Sequence, residues 1–127
     1  MKQNFGAEHL RIFNEEIRGQ GYPDPGTGYY SKNLSYEEWY NLNNAQRAHM
    51  NFLEMLGSSV LFQLVGGLYF PIPTAILTFI LFVARLLYTC GYVTRGPKGR
   101  YFGAFLNDGI IIAHFVLACI SSIYLIK

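Results

Sequence analysis

Residues 52–93 read FLEMLGSSVLFQLVGGLYFPIPTAILTFILFVARLLYTCGYV, and this stretch decides the fold. On each side of Pro71-Ile72-Pro73 lie about 20 nearly apolar residues, enough to cross roughly 30 Å of hydrocarbon at about 1.5 Å per helical residue. The connection Phe70-Pro71-Ile72-Pro73 is so short that the two spans must form an antiparallel hairpin. Pro73 suits the first residue of the second helix, where its missing N–H would have no intrahelical partner. A third apolar run, Phe102 to Ile126, follows after a short loop. The expected fold class is all-α: an integral membrane helical bundle with three transmembrane helices.

Composition agrees with that reading. Of the 127 residues 51% are hydrophobic and 17% aromatic, while only 14% are charged, against roughly 25% charged in an average soluble domain. Beyond Phe52 the charges reduce to Glu54, Arg85, Asp108, Lys127 and one basic loop holding Arg95, Lys98 and Arg100. A net charge of +2, scattered along the chain, gives no footprint for nucleic acid. Cys90 and Cys119 sit in apolar segments without metal spacing and read as two buried small apolar residues. No nucleotide-binding glycine loop, nucleophile elbow or His/Cys metal signature is present.

The first spanning helix begins well before the membrane. Ser35-Tyr36-Glu37-Glu38 fits a capping box, and nothing breaks the helix before Pro71. Residues 1–34 form a polar N-terminal arm ahead of a transmembrane domain over 35–127. In the arm, residues 5–18 are expected to form a short amphipathic helix with Leu10, Phe13 and Ile17 on one face. The Gly- and Pro-rich stretch Gly19 to Asn33 is expected to be irregular. Without an apolar h-region, and with Glu8, Glu15 and Glu16, the arm is not expected to be a cleavable secretory signal or an ordinary transit peptide. The arm and the Thr94–Tyr101 loop carry nearly all the Lys and Arg, so both are placed on the cytoplasmic or matrix side.

Polar residues inside the spans carry the functional question. Tyr40, Asn44, Arg47, Asn51, Glu54 and Ser58 step by four and three and share one helix face. Arg85, Tyr88 and Tyr92 repeat the device on the second span, and Asp108 stands alone on the third. By helical rise Glu54, Arg85 and Asp108 fall at similar depths near the arm side. An ionisable group there must face protein or a water-filled cavity. Two readings are open: a structural ion-pair network of Glu54, Arg85 and Asp108, or a polar pocket for a charged ligand. His49 reads as an interface residue and His114 as packed or singly hydrogen-bonded, without a second metal ligand.

Asn43-Asn44-Ala45-Gln46-Arg47-Ala48-His49-Met50-Asn51-Phe52-Leu53-Glu54 resembles the first signature of the MAPEG family, the membrane-associated proteins in eicosanoid and glutathione metabolism. Arg85-Leu86-Leu87-Tyr88-Thr89-Cys90-Gly91-Tyr92 resembles its second, and Gly96-Pro97-Lys98-Gly99-Arg100 its basic loop. The likeness is nearest the microsomal glutathione S-transferase type-three branch and runs from about residue 35 to the end. It implies a homotrimer with glutathione held by Arg47, Asn51, Glu54, Tyr88 and Tyr92, and Arg100 stabilising the thiolate. The family's first transmembrane helix has no counterpart in the arm, and Met55 stands where the leukotriene-forming branch carries Tyr.

Two functions follow as expectations. In one, the chain is an accessory subunit of a larger membrane complex, such as a respiratory assembly of the mitochondrial inner membrane. Other chains would then cover the missing-helix face, with a bound lipid possible. In the other, it is an active glutathione transferase or peroxidase on lipophilic substrates, with the endoplasmic reticulum as an alternative location.

Overall fold

The computed structural model describes residues 2–16, 24–29 and 31–127. Among the described residues are four α-helices: α1 (Lys2–Phe13), α2 (Tyr36–Tyr69), α3 (Pro71–Arg95) and α4 (Tyr101–Ile126). Single 3-10 turns occupy Ser31–Asn33 and Gly96–Lys98. Three helical segments are long and apolar enough to cross a membrane: Tyr36–Tyr69, Pro71–Lys98 and Tyr101–Ile126. The chain is an all-α membrane bundle. Contacts divide it into Met1–Gln46 and Arg47–Lys127, two units whose boundary falls inside α2.

In the first unit, α1 is shorter than the expected 5–18 helix. It stops at Asn14, which adopts φ 55°, a left-handed conformation that asparagine tolerates better than most residues. Leu10 and Phe13 are exposed, and Ile17 lies outside the described residues. Residues 24–29 form an irregular loop organised by Asp24. Its carboxylate accepts the amides of Gly26 (2.8 Å), Gly28 (3.1 Å) and Ser31 (2.9 Å), and also the Ser31 hydroxyl. Partial desolvation works against the charged form, but the Ser31 hydroxyl and amide with the Gly26 and Gly28 amides outweigh it. The carboxyl is held down at about 2. The Trp39 indole N–H donates to the Gly26 carbonyl at 3.0 Å and pins the loop to α2.

The capping box forms as read. The Ser35 amide donates to Glu38 Oε2 at 3.0 Å, and the Glu38 amide donates to Ser35 Oγ at 3.3 Å. These bonds, from the Ser35 hydroxyl first, hold the Glu38 carboxyl below its usual range. From there α2 runs 34 residues, about 50 Å at the helical rise. The hairpin is tighter than expected. Only Phe70 separates α2 from α3, and Pro71 instead of Pro73 opens the second helix. Both prolines fit because the first-turn N–H groups have no intrahelical acceptor. At this end Tyr69 stacks on Tyr124 (centroids 4.6 Å apart, planes 9° apart), with Phe70 edge-on. Amphipathic rings of this kind collect at membrane–water interfaces.

The second unit packs the membrane part of α2 against α3 and α4. Leu81 and Ala84 of α3 meet Ile110 and Ile111 of α4, with Met55 and Phe62 of α2 packed on them. Gly103 lets α4 approach α3 closely: a Cβ there would collide with the Tyr88 backbone. At the far end of α3, Gly96 takes φ 66°, a turn glycine adopts without a Cβ penalty. Cys90 and Cys119 are exposed, not buried. An apolar neighbourhood in the sequence suits a surface made for hydrocarbon as well as it suits a protein core.

Candidate functional site

The arm-side half of the Arg47–Lys127 unit gathers most of the polar residues picked out by spacing. Helical periodicity brings Arg47, Asn51 and Glu54 to one face of α2. Arg47 and Glu54 are exposed and Asn51 is half-buried. On α3, Tyr88 and Tyr92 are 3% and 2% exposed, with rings 5.8 Å apart. They form a small core with Ala48 of α2 and Ala104 of α4. Arg100 is half-buried at the start of α4, its guanidinium 5.1 Å from the centre of the Tyr92 ring.

Arg85 is the centre of the arrangement. Its Nη1 donates to Asn51 Oδ1 at 3.0 Å, tying α3 to α2. The guanidinium carbon lies 5.1 Å from the Phe52 ring centre and 4.9 Å from that of Tyr88, within cation–π range. Glu54 and Asp108 are both exposed. Among the described residues no ion pair within 4.0 Å joins either carboxylate to Arg85. Asn107, the neighbour of Asp108, is 3% exposed and takes the inward place. Spacing missed it because an aspartate attracts attention before an asparagine does. An uncharged polar residue in the same apolar run was the available signal.

The arrangement only partly suits the tripeptide implied by the sequence motifs. Arg47, Glu54 and Arg100 leave charged groups within reach of a solute. Tyr88 and Tyr92 do not, because their rings are closed into the core with Ala48. A ligand touching both phenols would have to displace that packing. Arg85 already occupies the Asn51 carboxamide oxygen. The five residues that the resemblance assigns to glutathione are thus split, among the described residues, between exposed positions (Arg47, Glu54), the half-buried Asn51 and a closed core (Tyr88, Tyr92).

An open cavity adjoins this arrangement at Arg85. A space of about 440 Å³ runs along α2 and α3, between Met55, Ser59 and Gln63 on one side and Leu81 and Arg85 on the other, with Asn107 of α4 also in its wall. Toward the hairpin a polar relay crosses the bundle. Thr78 Oγ1 lies 3.2 Å from the Gln63 carboxamide and 3.3 Å from His114 Nε2, while His114 Nδ1 lies 3.1 Å from the Ile110 carbonyl. A carbonyl only accepts, so Nδ1 carries the imidazole proton and Nε2 accepts. Gln63 Oε1 faces the Thr78 hydroxyl; with the single Thr78 proton given to His114, the carboxamide has to turn so that its N–H meets Thr78. His114 is thereby satisfied with two partners, and among the described residues no metal-binding group of His, Cys, Asp or Glu occurs. Deeper still, the Ser121 hydroxyl donates to the Gly66 carbonyl at 3.1 Å.

No solved structure matches the chain. The model of the MAPEG family matches residues 11–120, which is most of the chain's length and takes in both motifs and the basic loop. On that match, and on the three apolar helices that carry the motifs, the chain belongs to the MAPEG family.

Proposed function

We propose that this MAPEG-family chain works as an accessory subunit inside a larger membrane assembly. The closed packing of Tyr88 and Tyr92 carries the reading. Two residues assigned to gripping glutathione serve here as the cement between α2, α3 and α4. The exposed stripe supplies the need for a partner. Glu54 and Asp108 lie within spanning helices and are exposed, and carboxylates facing hydrocarbon cost a few kcal/mol each. A neighbouring chain that brings donors or cations to this stripe removes that cost. A mitochondrial inner-membrane complex is the setting we favour, with the arm on the matrix side.

The second reading is a homotrimeric glutathione transferase or peroxidase, and one observation favours it. The guanidinium of Arg100 is only half-buried and lies over the Tyr92 ring, leaving a cation able to meet a thiolate. Glutathione would supply the nucleophilic sulfur in that case.

Native mass in mild detergent, measured on protein taken from its own membranes, separates the two. Comigration with a large hetero-oligomer, lost when residues 1–33 are deleted, supports the subunit. A particle of homotrimer size that forms glutathione thiolate, and loses it in Arg100→Ala while staying folded, overturns it.

A further inference from the structure

Two carboxylates border one groove on the surface of the Arg47–Lys127 unit. Glu54 of α2 and Asp108 of α4 are exposed, and each lies within a membrane-spanning helix. Met55, the residue after Glu54, packs on the cluster that holds Ile110 and Ile111 of α4. Phe115, seven residues after Asp108 and so on the same face of α4, meets the Phe62 ring of α2 edge-on at 5.2 Å. Both acids therefore flank the line where α2 and α4 meet. With Met55 level with Ile110 and Ile111, helical rise puts the two carboxylates within roughly 3 Å of the same depth.

The chain itself does not compensate them. Among the described residues no ion pair within 4.0 Å reaches either acid, and Asp108 has only a 3.5 Å contact from the Asn107 carboxamide. Arg85 turns to Asn51 instead. Arg47, on the Glu54 face of α2, is two turns away, about 10 Å along the axis. A cation must come from outside, and the groove says what carries it. On α2 the Glu54 face continues through Ser58 and the exposed Leu61; on α4 the Asp108 face continues through Phe115, Cys119 and Ser122. From Asp108 to Ser122 that strip is about 20 Å long, the reach of a helix and not of a headgroup. The Ser58 and Ser122 hydroxyls donate to the Met55 and Ala118 carbonyls of their own helices. Satisfied in place, these small side chains leave a low surface that another helix can approach closely.

We propose that the groove between α2 and α4 seats a transmembrane helix of a different chain, with an Arg or Lys of that helix held between Glu54 and Asp108. Arginine suits the place best, since its planar fork has five N–H donors on more than one edge and serves both carboxylates at once. The inference rests on the subunit reading and deepens it, by naming the partner's charge and the face it covers.

Cys119 lies on the Asp108 face, whereas Cys90 lines the separate cavity along α2 and α3, and both are exposed. Their alkylation rates are compared between the native complex, extracted from its own membranes in mild detergent, and the same chain purified alone. Cys119 is expected to label at least about tenfold more slowly in the complex, and Cys90 to stay within about twofold. Glu54→Gln combined with Asp108→Asn leaves the partner's cation buried and unpaired, and should lower the assembled fraction at least about tenfold. Glu54→Asp combined with Asp108→Glu keeps both charges and should restore most of it. The single neutral changes, each expected to give part of the loss, stand in if the neutral pair does not fold. A hetero-oligomer in which Cys119 labels as fast as in the lone chain, or in which Cys90 is protected in its place, sinks the groove and leaves the subunit reading standing. Assembly unchanged by the neutral pair removes the cation. A particle of homotrimer size overturns both readings. Equal protection of Cys119 in the lone chain by added phosphatidylethanolamine gives the groove to a lipid ammonium.

Discussion

The Gln63–Thr78–His114 relay makes a quantitative prediction about how the three spans are held together. Consider Thr78→Val and His114→Leu, alone and combined. The valine keeps the shape of Thr78 and removes its hydroxyl. The leucine keeps most of the volume of a side chain only 1% exposed. Thr78→Val deletes the contacts at 3.2 and 3.3 Å, leaving Nε2 of a buried imidazole without a donor. His114→Leu deletes the 3.3 Å contact and the Nδ1 bond to Ile110. That carbonyl still receives its helical amide, so little is left orphaned there. At about 1 kcal/mol per net hydrogen bond, each single change should cost about 1–2 kcal/mol. Because the variants share one bond, their costs should not add. The coupling should be about 0.6 kcal/mol and no more than ~1.7, the range for hydrogen bonds between membrane helices. The assay is equilibrium unfolding of the helical signal in mixed micelles as the fraction of denaturing detergent rises. Strict additivity, or a stabilising His114→Leu with no coupling, would refute the proton assignment and leave the relay as mere proximity.

Three further outcomes follow from particular contacts. Gly103→Val drives a branched side chain into the Tyr88 backbone, and it should cost about 1–3 kcal/mol of stability as overpacking in the same unfolding assay. Asp24 has a folded-state value near 2 against the ordinary 3.8, so its bonds favour the folded loop above about pH 4. That contribution should disappear as pH falls from about 4 through 2, read as a change in fluorescence of Trp39, the only tryptophan in the chain. Ser35→Ala removes the acceptor for the Glu38 amide and the hydroxyl that holds its carboxylate. Amide exchange in the first turn of α2 should accelerate while the membrane part of that helix stays protected.

Stripe spacing reached the candidate site only in part, and for an identifiable reason. A period of three and four residues says which side chains share a face, but not which face another helix covers. Arg47, Asn51 and Glu54 step onto one face, and Asn51 bonds across the bundle to Arg85 while Arg47 and Glu54 are exposed. On α4 the counting stopped at Asp108, while the inward residue is Asn107, one position and about 100° away. Ser58 was placed on the stripe and is exposed, while Ser59 is buried and lines the cavity. The cysteines misled in the same way, since an apolar sequence context does not separate core from lipid-facing surface.

Local chemistry was enough to determine the elements themselves. The Ser35–Glu38 box starts α2, the prolines after Phe70 force the hairpin, and Gly96-Pro97 stops α3. Run length then makes three spans, because each of these effects acts within a few residues of chain. The family motifs were legible for the same reason, as contiguous stretches that carry their spacing with them. Only the tertiary structure decided that Tyr88 and Tyr92 pack into a core with Ala48, that Arg85 bonds Asn51 and lines a cavity, and that His114 meets Thr78. Those outcomes depend on the rotation of three helices about their own axes. That rotation is set by the Gly103–Tyr88 approach and by packing between side chains far apart in the sequence.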